Sequence, residues 1–472
     1  MSDTTSGTTQ PVEPHVAAKL SLRTVPLTTF GEDKLGRKPC ADMITELIEG
    51  TDGSLVIGLN GAWGTGKTTF LKMWQNDLPP ETYQTIYYNA WEDDYCKDPL
   101  IAIIGQLWEK LKGTDCKEII ESIKKCAGPL LKKYTLGHLG LDCEDVMSSA
   151  ENMVDVYVNE KKDIATLKGK IVELTDKLAG QGRHLIFFID ELDRCRPTFA
   201  IELLERVKHL FDIDGIYFVL GIDREQLGHS IKSVYGQGMD VDGYLKRFID
   251  IEFSLPQANN SIFLKHVFEQ YGINRISDER AEKSQRLDDR TALEKMFVGL
   301  SKCFNMSLRD IEHYCRLLSV LYTNTSEKQL VFPFFTAIML FLRLYNKNLY
   351  QQYMEGNATG SDIVKFIASK PMGKEFLCHS EGILGEAYLL AGSPEEWLHE
   401  VIKNIRNALG ESGKVPMPKD LLWDTGEKRL KTLLDRLTNE VLGGMHSFDH
   451  NRLAYISKKI DLMSETMLKK VR

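Results

Sequence analysis

The segment Gly61-Ala-Trp-Gly-Thr-Gly66-Lys67-Thr68 narrows the possible folds more than anything else in the chain. It has the spacing GxxxxGK[ST], follows the apolar run Leu55–Leu59 and precedes a helical stretch carrying Phe70, Leu71, Met73 and Trp74. Strand, glycine-rich turn and helix form one physical unit. The glycines admit dihedrals and a closeness of approach that side chains forbid. The turn then aims successive N–H groups at one point, where the helix N-terminus adds partial positive charge. Phosphate is what such a turn holds. A strand used this way belongs in a mostly parallel sheet with helices on both faces, so the expected fold is α/β.

Four further runs supply that sheet. Thr85–Asn89 is aromatic and β-branched, Leu185–Ile189 is apolar and ends in acids, Ile216–Ile222 ends at Asp223 and Arg224, and Phe248–Leu255 is stopped by Pro256. Between the second and third, residues 97 to 180 are rich in Lys and Glu and carry helical periodicity at Ile101, Ile104, Leu107, Trp108 and Leu111. This reads as a helical insertion. Beyond Pro256 no strand signal recurs, and helix follows helix with breaks at Gly272, Gly356 to Gly360 and Gly410 to Pro418. The expected organisation is a tail over residues 1–20, a P-loop core over 21–256, a helical lid over 257–330 and a C-terminal helical domain over 331–472.

Within the turn, Gly61, Ala62, Trp63, Gly64, Thr65 and Gly66 form the cradle. Lys67 is placed to reach the β- and γ-phosphates, Thr68 to put its hydroxyl on Mg²⁺, and Thr69 to touch the α-phosphate. The run His184-Leu-Ile-Phe-Phe-Ile-Asp190-Glu191 is an independent signal. Acids at the tip of a buried strand are costly unless they serve a cation or a hydrogen bond. Asp190 suits the Mg²⁺ shell and Glu191 suits a general base for water. That glutamate, with no guanine-type Asn/Thr-Lys-x-Asp signature in the chain, points to ATP.

Three positions keep two readings each. Asp223 either senses the γ-phosphate or caps a helix. Arg247, in Tyr244-Leu-Lys-Arg-Phe248, either reaches phosphates, in cis or from a neighbouring subunit, or is a solvated charge. Arg309, in Ser307-Leu-Arg-Asp310, opens a later helix and either touches the γ-phosphate or stays in water.

Composition excludes several classes. Hydrophobic residues make up 43% and charged residues 27% of 472, enough for a large core without disulfides. The formal net charge of -8 argues against coating nucleic acid by bulk charge. A basic run at Lys458, Lys459, Lys469, Lys470 and Arg472 either meets phosphates or forms a solvated helix face. The nine cysteines, Cys40, Cys96, Cys116, Cys126, Cys143, Cys195, Cys303, Cys315 and Cys378, include no CxxC pair and no zinc spacing, which fits a reducing cytosol. Residues 1–14 lack the apolar core of a signal peptide. The most apolar window, Val331–Leu344, is shorter than the ~20 residues a membrane helix needs and reads as a buried helix. Trp397 and Trp423 read as core, His446 and His450 as ordinary polar positions.

These residues together resemble the KAP-family P-loop NTPases. The resemblance is carried by Asp33-Lys-Leu-Gly36-Arg37 with Gly61 to Thr68, by Tyr88-Asn-Ala-Trp91 with Asp98-Pro99-Leu100, by Asp190-Glu-Leu-Asp193-Arg194-Cys195, and by Gly221-Ile-Asp-Arg224 followed by Tyr244 to Pro256. It spans about residues 30 to 330. It implies an ATPase domain of the STAND and AAA-like branch with a helical extension packed over the nucleotide. It also implies that Leu35, Gly36 and Arg37 lie near the adenine or the phosphates, and that Asp193 and Arg194 buttress the acids. Many family members carry transmembrane helices between the two nucleotide motifs. The charged stretch here departs from that pattern, so a cytoplasmic member without a membrane anchor is expected. Bacterial members resemble mobile-element and phage-exclusion proteins, which implies a defence role.

Two functions lead on the sequence, with an ATPase that acts on nucleic acid through the C-terminal basic run as a third. One is an ATP-hydrolysing switch or motor subunit that works with copies of itself or a partner protein. The other is a scaffold that holds nucleotide with little turnover.

Overall fold

The computed structural model describes residues 27–96, 98–138, 150–284, 289–323, 333–391, 399, 402, 403, 405, 406, 427–436 and 460. They fall into two compact units, one covering Val25–Asn259 and the other beginning at Asn260.

The first unit is built on five strands, β1 (Leu55–Asn60), β2 (Tyr83–Asn89), β3 (His184–Asp190), β4 (Ile216–Ile222) and β5 (Ile251–Ser254). All neighbours run parallel, in the order β2-β3-β4-β1-β5. The near-continuous apolar runs follow from burial on both faces. Ile186, Phe188, Tyr217 and Val219 enter a core with α1 (Lys38–Glu49) and α2 (Lys67–Asp77). Leu185, Phe187, Ile189, Ile216, Phe218 and Leu220 enter the opposite core with α3 (Pro99–Leu111), α4 (Lys117–His138), α5 (Ala150–Ala179) and α6 (Pro197–Leu210). The helical insertion is thus α3 to α5. Its first helix starts where Asp98 accepts from the Leu100 N–H at 2.9 Å and Pro99 fixes the first helical residue. Arg206 of α6 donates to both oxygens of the buried Asp98, at 3.0 and 3.3 Å, which ties insertion to core.

After β4 come α7 (Arg224–Tyr235) and the short α8 (Val241–Leu245). The last strand is shorter than the expected Phe248–Leu255. Phe248 and Ile249 both donate backbone N–H to Leu245 O, continuing the turn that α8 begins. The Phe248 ring then packs on Tyr244 at 5.0 Å between centroids. Those two apolar residues bury themselves as a turn, and strand pairing begins only at Ile251.

β1 pairs with β4 on one side and β5 on the other, whereas the chain leaves β1 for β2 at the far edge. Chain direction across the sheet therefore switches at β1. The crevice outside the carboxyl ends of the strands is where ligands bind in sheets of this kind.

The second unit is helical wherever it is described, with α9 (Asn260–Gln270), α10 (Ile273–Ser284), α11 (Asp289–Cys303), α12 (Leu308–Thr323), α13 (Pro333–Tyr345), α14 (Lys347–Met354), α15 (Gly360–Ala368), α16 (Gly373–Cys378), α17 (Ser380–Ala391) and α18 (Glu427–Asp435). Gly272 at φ +66° and Gly356 at φ +75° make two of the expected breaks. One apolar core crosses residue 330: the Phe297 and Tyr314 rings meet edge to face at 4.5 Å, and Tyr314 meets Phe341 at 5.7 Å. The window Val331–Leu344 holds α13, whose residues from Phe334 to Leu342 are buried. Trp397, Trp423, His446, His450, the break at 410–418 and the basic residues Lys458, Lys459, Lys469, Lys470 and Arg472 lie outside the described residues. Among the described residues no helix is long and apolar enough to cross a membrane.

Candidate functional site

The glycine-rich turn leaves β1 at Asn60 and enters α2 at Lys67. Gly64 and Gly66 have φ of +79° and +88°, conformations that cost other residues free energy. At Gly61 a Cβ would stand 2.9 Å from Thr65 Oγ1, inside contact distance. The Thr65 hydroxyl and N–H both donate to Ala62 O, at 2.7 and 3.3 Å, and close the turn on itself. The N–H groups of Gly64, Gly66, Lys67 and Thr68 take no acceptor from the described residues. Donors left open at a helix N-terminus require an anion or water. The turn therefore fits a phosphate chain.

Lys67 is only 8% exposed, and its ammonium donates to Gly61 O and, at 3.4 Å, to Ala62 O. Burial lowers its pKa, while the nearby carboxylates of Asp193, Asp223 and Asp190 oppose that shift. A cation held this way is compensated at long range but lies against neutral carbonyls, and phosphate oxygens are a better partner for it.

At the tip of β3 both oxygens of Asp190 are occupied: Oδ1 accepts from the Glu191 N–H at 2.9 Å and Oδ2 from the Tyr87 hydroxyl at 2.8 Å. Burial, with Asp190 alongside, pushes the Tyr87 phenol well above its ordinary pKa, so it remains a donor. Opposite Asp190 in the sheet register stands Gly221 of β4. A Cβ there would come within 3.0 Å of Asp190 Oδ1 and 2.7 Å of Leu71 Cδ1, so only glycine lets the P-loop helix and the acid close on each other. Thr68, half-buried in the first turn of α2, carries a hydroxyl oxygen, with Thr69 beside it. Carboxylate and hydroxyl oxygens suit Mg²⁺.

Glu191 sits at φ +59°, in the left-handed region that a β-carbon disfavours. Its carboxylate pairs with Arg194 at 2.9 Å, and the Arg194 guanidinium lies 6.0 Å from the Trp63 ring centroid and 5.7 Å from that of Trp91.

A closed set of hydrogen bonds joins three parts of the site. Asp193 accepts the Trp63 indole N–H on Oδ2 and, at 3.1 Å, the Asp223 N–H on Oδ1. Asp223 Oδ2 in turn accepts the Trp63 backbone N–H at 3.0 Å. Its other oxygen caps α7 through the Gln226 N–H at 3.3 Å. Asp223 is thus a helix cap and a tether of the turn at once. Asp193 meets the turn, whereas Arg194 pairs with Glu191.

Arg37, the residue before α1, is 3% exposed and donates to Thr65 O at 2.9 Å and Pro256 O at 3.0 Å. Asp33 holds the preceding bend by accepting the Leu35 and Arg37 N–H groups at 2.9 and 2.7 Å. Burial lowers the Arg37 pKa, with Asp33 opposing. Arg37 therefore braces the turn from outside.

Gly61 to Thr69 follow β1, Asp190 and Glu191 stand at the tip of β3 and Asp223 follows β4, all at the carboxyl edge of the sheet, while Arg37 meets the turn from outside through Thr65 O. Arg247 is exposed in the turn before β5, and Arg309 is exposed at the start of α12 in the second unit. Sequence reasoning missed Tyr87, whose role depends on the register that sets β2 against β3. It also missed Asn60, whose side-chain Oδ1 accepts the Arg224 backbone N–H at 3.2 Å while its side-chain amide donates to Glu252 at 3.1 Å. A polar residue ending an apolar strand was the available signal.

Comparison with known proteins agrees with this geometry. The Phage T7 exclusion protein of Escherichia coli (strain K12) is 20% identical over 274 residues, which are 53% of this chain and 36% of that protein. An uncharacterized protein of Methanocaldococcus jannaschii is 41% identical over 54 residues, 11% of this chain and 28% of the other. This chain therefore aligns with only about a third of the length of the first relative and about a quarter of the second. Among solved structures, the Aeropyrum pernix ORC2 protein is 14% identical with a TM-score of 0.31, over 91% of this chain and 94% of that one. The Aeropyrum pernix ORC1 protein in complex with DNA is 12% identical with a TM-score of 0.33, over 93% and 85%. Scores that low carry no argument. The KAP family P-loop domain matches residues 37–324, more than half of the chain, from the brace at Arg37 through the turn and the acids into the second unit, and the protein belongs to that family.

Proposed function

We propose that this chain binds ATP with Mg²⁺ and hydrolyses it, acting as a nucleotide switch. The observation that carries the reading is the set of N–H donors at Gly64, Gly66, Lys67 and Thr68 after β1, at the same carboxyl edge of the parallel sheet as Asp190 and Glu191 at the end of β3. The loop donors and Lys67 hold the β- and γ-phosphates, with Thr69 at the α-phosphate. Thr68 and Asp190 hold the cation, which when bound neutralises charge on the phosphate oxygens. Glu191 takes the proton of the attacking water as the bond from γ-phosphorus to the bridging oxygen breaks. Tyr87 fixes the Asp190 carboxylate, and Asp223 with Asp193 fixes the loop.

The test is steady-state ATP hydrolysis over a range of protein concentrations. Glu191→Gln should keep ATP binding and lose about 10²–10⁴-fold in kcat. Lys67→Ala should lose binding. Unchanged turnover in Glu191→Gln would remove the base assignment. A rate per protomer that rises with concentration supports self-association and an Arg247 acting from a neighbouring copy. A constant rate leaves Arg247 a cis role or none.

A second reading, slow turnover in a nucleotide-holding scaffold, is favoured by one contact: the Glu191 carboxylate is already engaged by Arg194. The name of the Escherichia coli relative, which shares 20% identity, supports a role in phage exclusion. Plating phage on cells with and without the intact gene tests that role.

A further inference from the structure

We infer that Arg194 is a latch on the catalytic base, holding Glu191 away from water until the clamp that carries it loosens. The inference rests on the reading of Glu191 as the base. Four observations point the same way. The Arg194–Glu191 pair is short, 2.9 Å, and both side chains are largely covered, at 25% and 15% exposed. The guanidinium takes up one face of one carboxylate oxygen, Oε1, and water must compete for that oxygen.

The second observation is the backbone. Glu191 lies at φ +59° with its N–H on Asp190 Oδ1, so its side chain leaves the strand tip in a fixed direction. The direction it takes is toward Arg194, three residues on, across the short 3-10 turn Leu192–Arg194.

The third is the clamp. Arg194 lies over two indoles, 6.0 Å from the Trp63 ring centroid and 5.7 Å from that of Trp91, and both residues are open to solvent, at 45% and 51%. Trp63 belongs to the phosphate-binding turn and Trp91 to the loop after β2. A cation held by two aromatic faces is stable only while both stay in place. Anything that shifts the turn therefore shifts Arg194.

The fourth is that the turn has a defined reason to shift. Lys67 rests on the turn's own carbonyls at Gly61 and Ala62. Phosphate oxygens compete for that ammonium and draw it off those carbonyls. Trp63, two residues from Gly61, is tied to Asp223 and Asp193, so it follows a shift of the turn only as those bonds yield. The clamp then opens on the side where the γ-phosphate arrives, freeing the carboxylate to accept a proton from water.

The experiment compares kcat and KM for ATP in the full-length wild type, Arg194→Ala, Glu191→Gln and the double variant. The latch predicts that Arg194→Ala raises kcat about five- to tenfold, a factor of 10 being about 1.4 kcal/mol, with KM changed less than about twofold. It also predicts that Arg194→Ala has no effect in the Glu191→Gln background. If Arg194 instead stabilises the transition state, or merely supports the fold, kcat falls or stays level, and either result overturns the latch. Trp91→Leu removes one wall of the clamp and leaves the pair intact. It should raise kcat about two- to threefold, and it decides the question if Arg194→Ala does not fold. Turnover that survives Glu191→Gln marks a failure of the base assignment itself, visible before any Arg194 variant is compared.

Discussion

Replacing Trp63 by Phe keeps a ring over Arg194 and deletes one atom group, the indole N–H that Asp193 accepts. Asp193 is a buried carboxylate, and its other oxygen is already used by the Asp223 N–H. A hydrogen bond to a charged group is worth about 1.5–3 kcal/mol net. Because the indole is 45% exposed, water partly replaces it, and about 1–2 kcal/mol is the expected loss. The bond holds the turn in shape before any ligand arrives, so its loss appears as an ordering cost on binding. The expected result is a five- to tenfold weaker Kd, equal to about 1–1.4 kcal/mol. Isothermal titration with an ATP analogue that cannot be hydrolysed reads this directly. Asp193→Asn should weaken binding as well, because its amide presents a donor to one of two N–H groups. The double variant should be little worse than either single one. A Trp63→Phe protein with wild-type Kd, or a pair of effects that add within about 0.5 kcal/mol, refutes the claim that the indole and Asp193 work as one brace.

Two other expectations come from the same site. Gly221→Ala places a methyl group 2.7 Å from Leu71 Cδ1 and 3.0 Å from Asp190 Oδ1; overpacking of this kind costs about 1–3 kcal/mol, and thermal melting should show it, with kcat lowered further because the displaced carboxylate is Asp190. Lys67 has a folded-state pKa lowered from 10.5 by burial, so between that lowered value and 10.5 the unfolded chain binds more protons than the folded one. Stability of the nucleotide-free protein should therefore rise with pH across this alkaline window while ATP affinity falls as the ammonium is lost. Lys67→Met should abolish that part of both pH dependences, and an identical pH profile in the variant contradicts the assignment.

What was legible in the sequence was local. The turn Gly61–Thr68 and the acids Asp190 and Glu191 announce themselves because each motif is contiguous and its chemistry is set within a few residues. The central strands β1, β3 and β4 followed from apolar runs, since strands buried on both faces leave no polar alternation to misread. The error at β5 has the same origin: Phe248 and Ile249 are apolar enough for a strand, but the turn after α8 buries them first. The braces were illegible because they join residues far apart, 130 positions for Trp63 and Asp193, 103 for Tyr87 and Asp190, and 219 for Arg37 and Pro256. No spacing rule encodes such pairs. Asp223 shows the limit clearly: a strand-tip Asp can cap a helix or serve a site, and here its two oxygens divide the tasks.

The Arg37 guanidinium makes the phosphate-binding turn and the chain's exit from the sheet answer to a single buried charge. Pro256 stands four residues before Asn260, where the second unit begins, and its carbonyl shares that cation with Thr65. The guanidinium is planar and fixed in its fork, and Nε has no partner to trade for a lost one. A displacement of Thr65 must then either be matched at Pro256 or leave a buried donor without an acceptor, at about 1–3 kcal/mol. Thermodynamic reciprocity makes this run both ways. A pull on the segment after Pro256 alters how tightly the turn holds nucleotide by the same free energy with which nucleotide repositions that segment. Mechanical load and ligand occupancy become two readings of one bond.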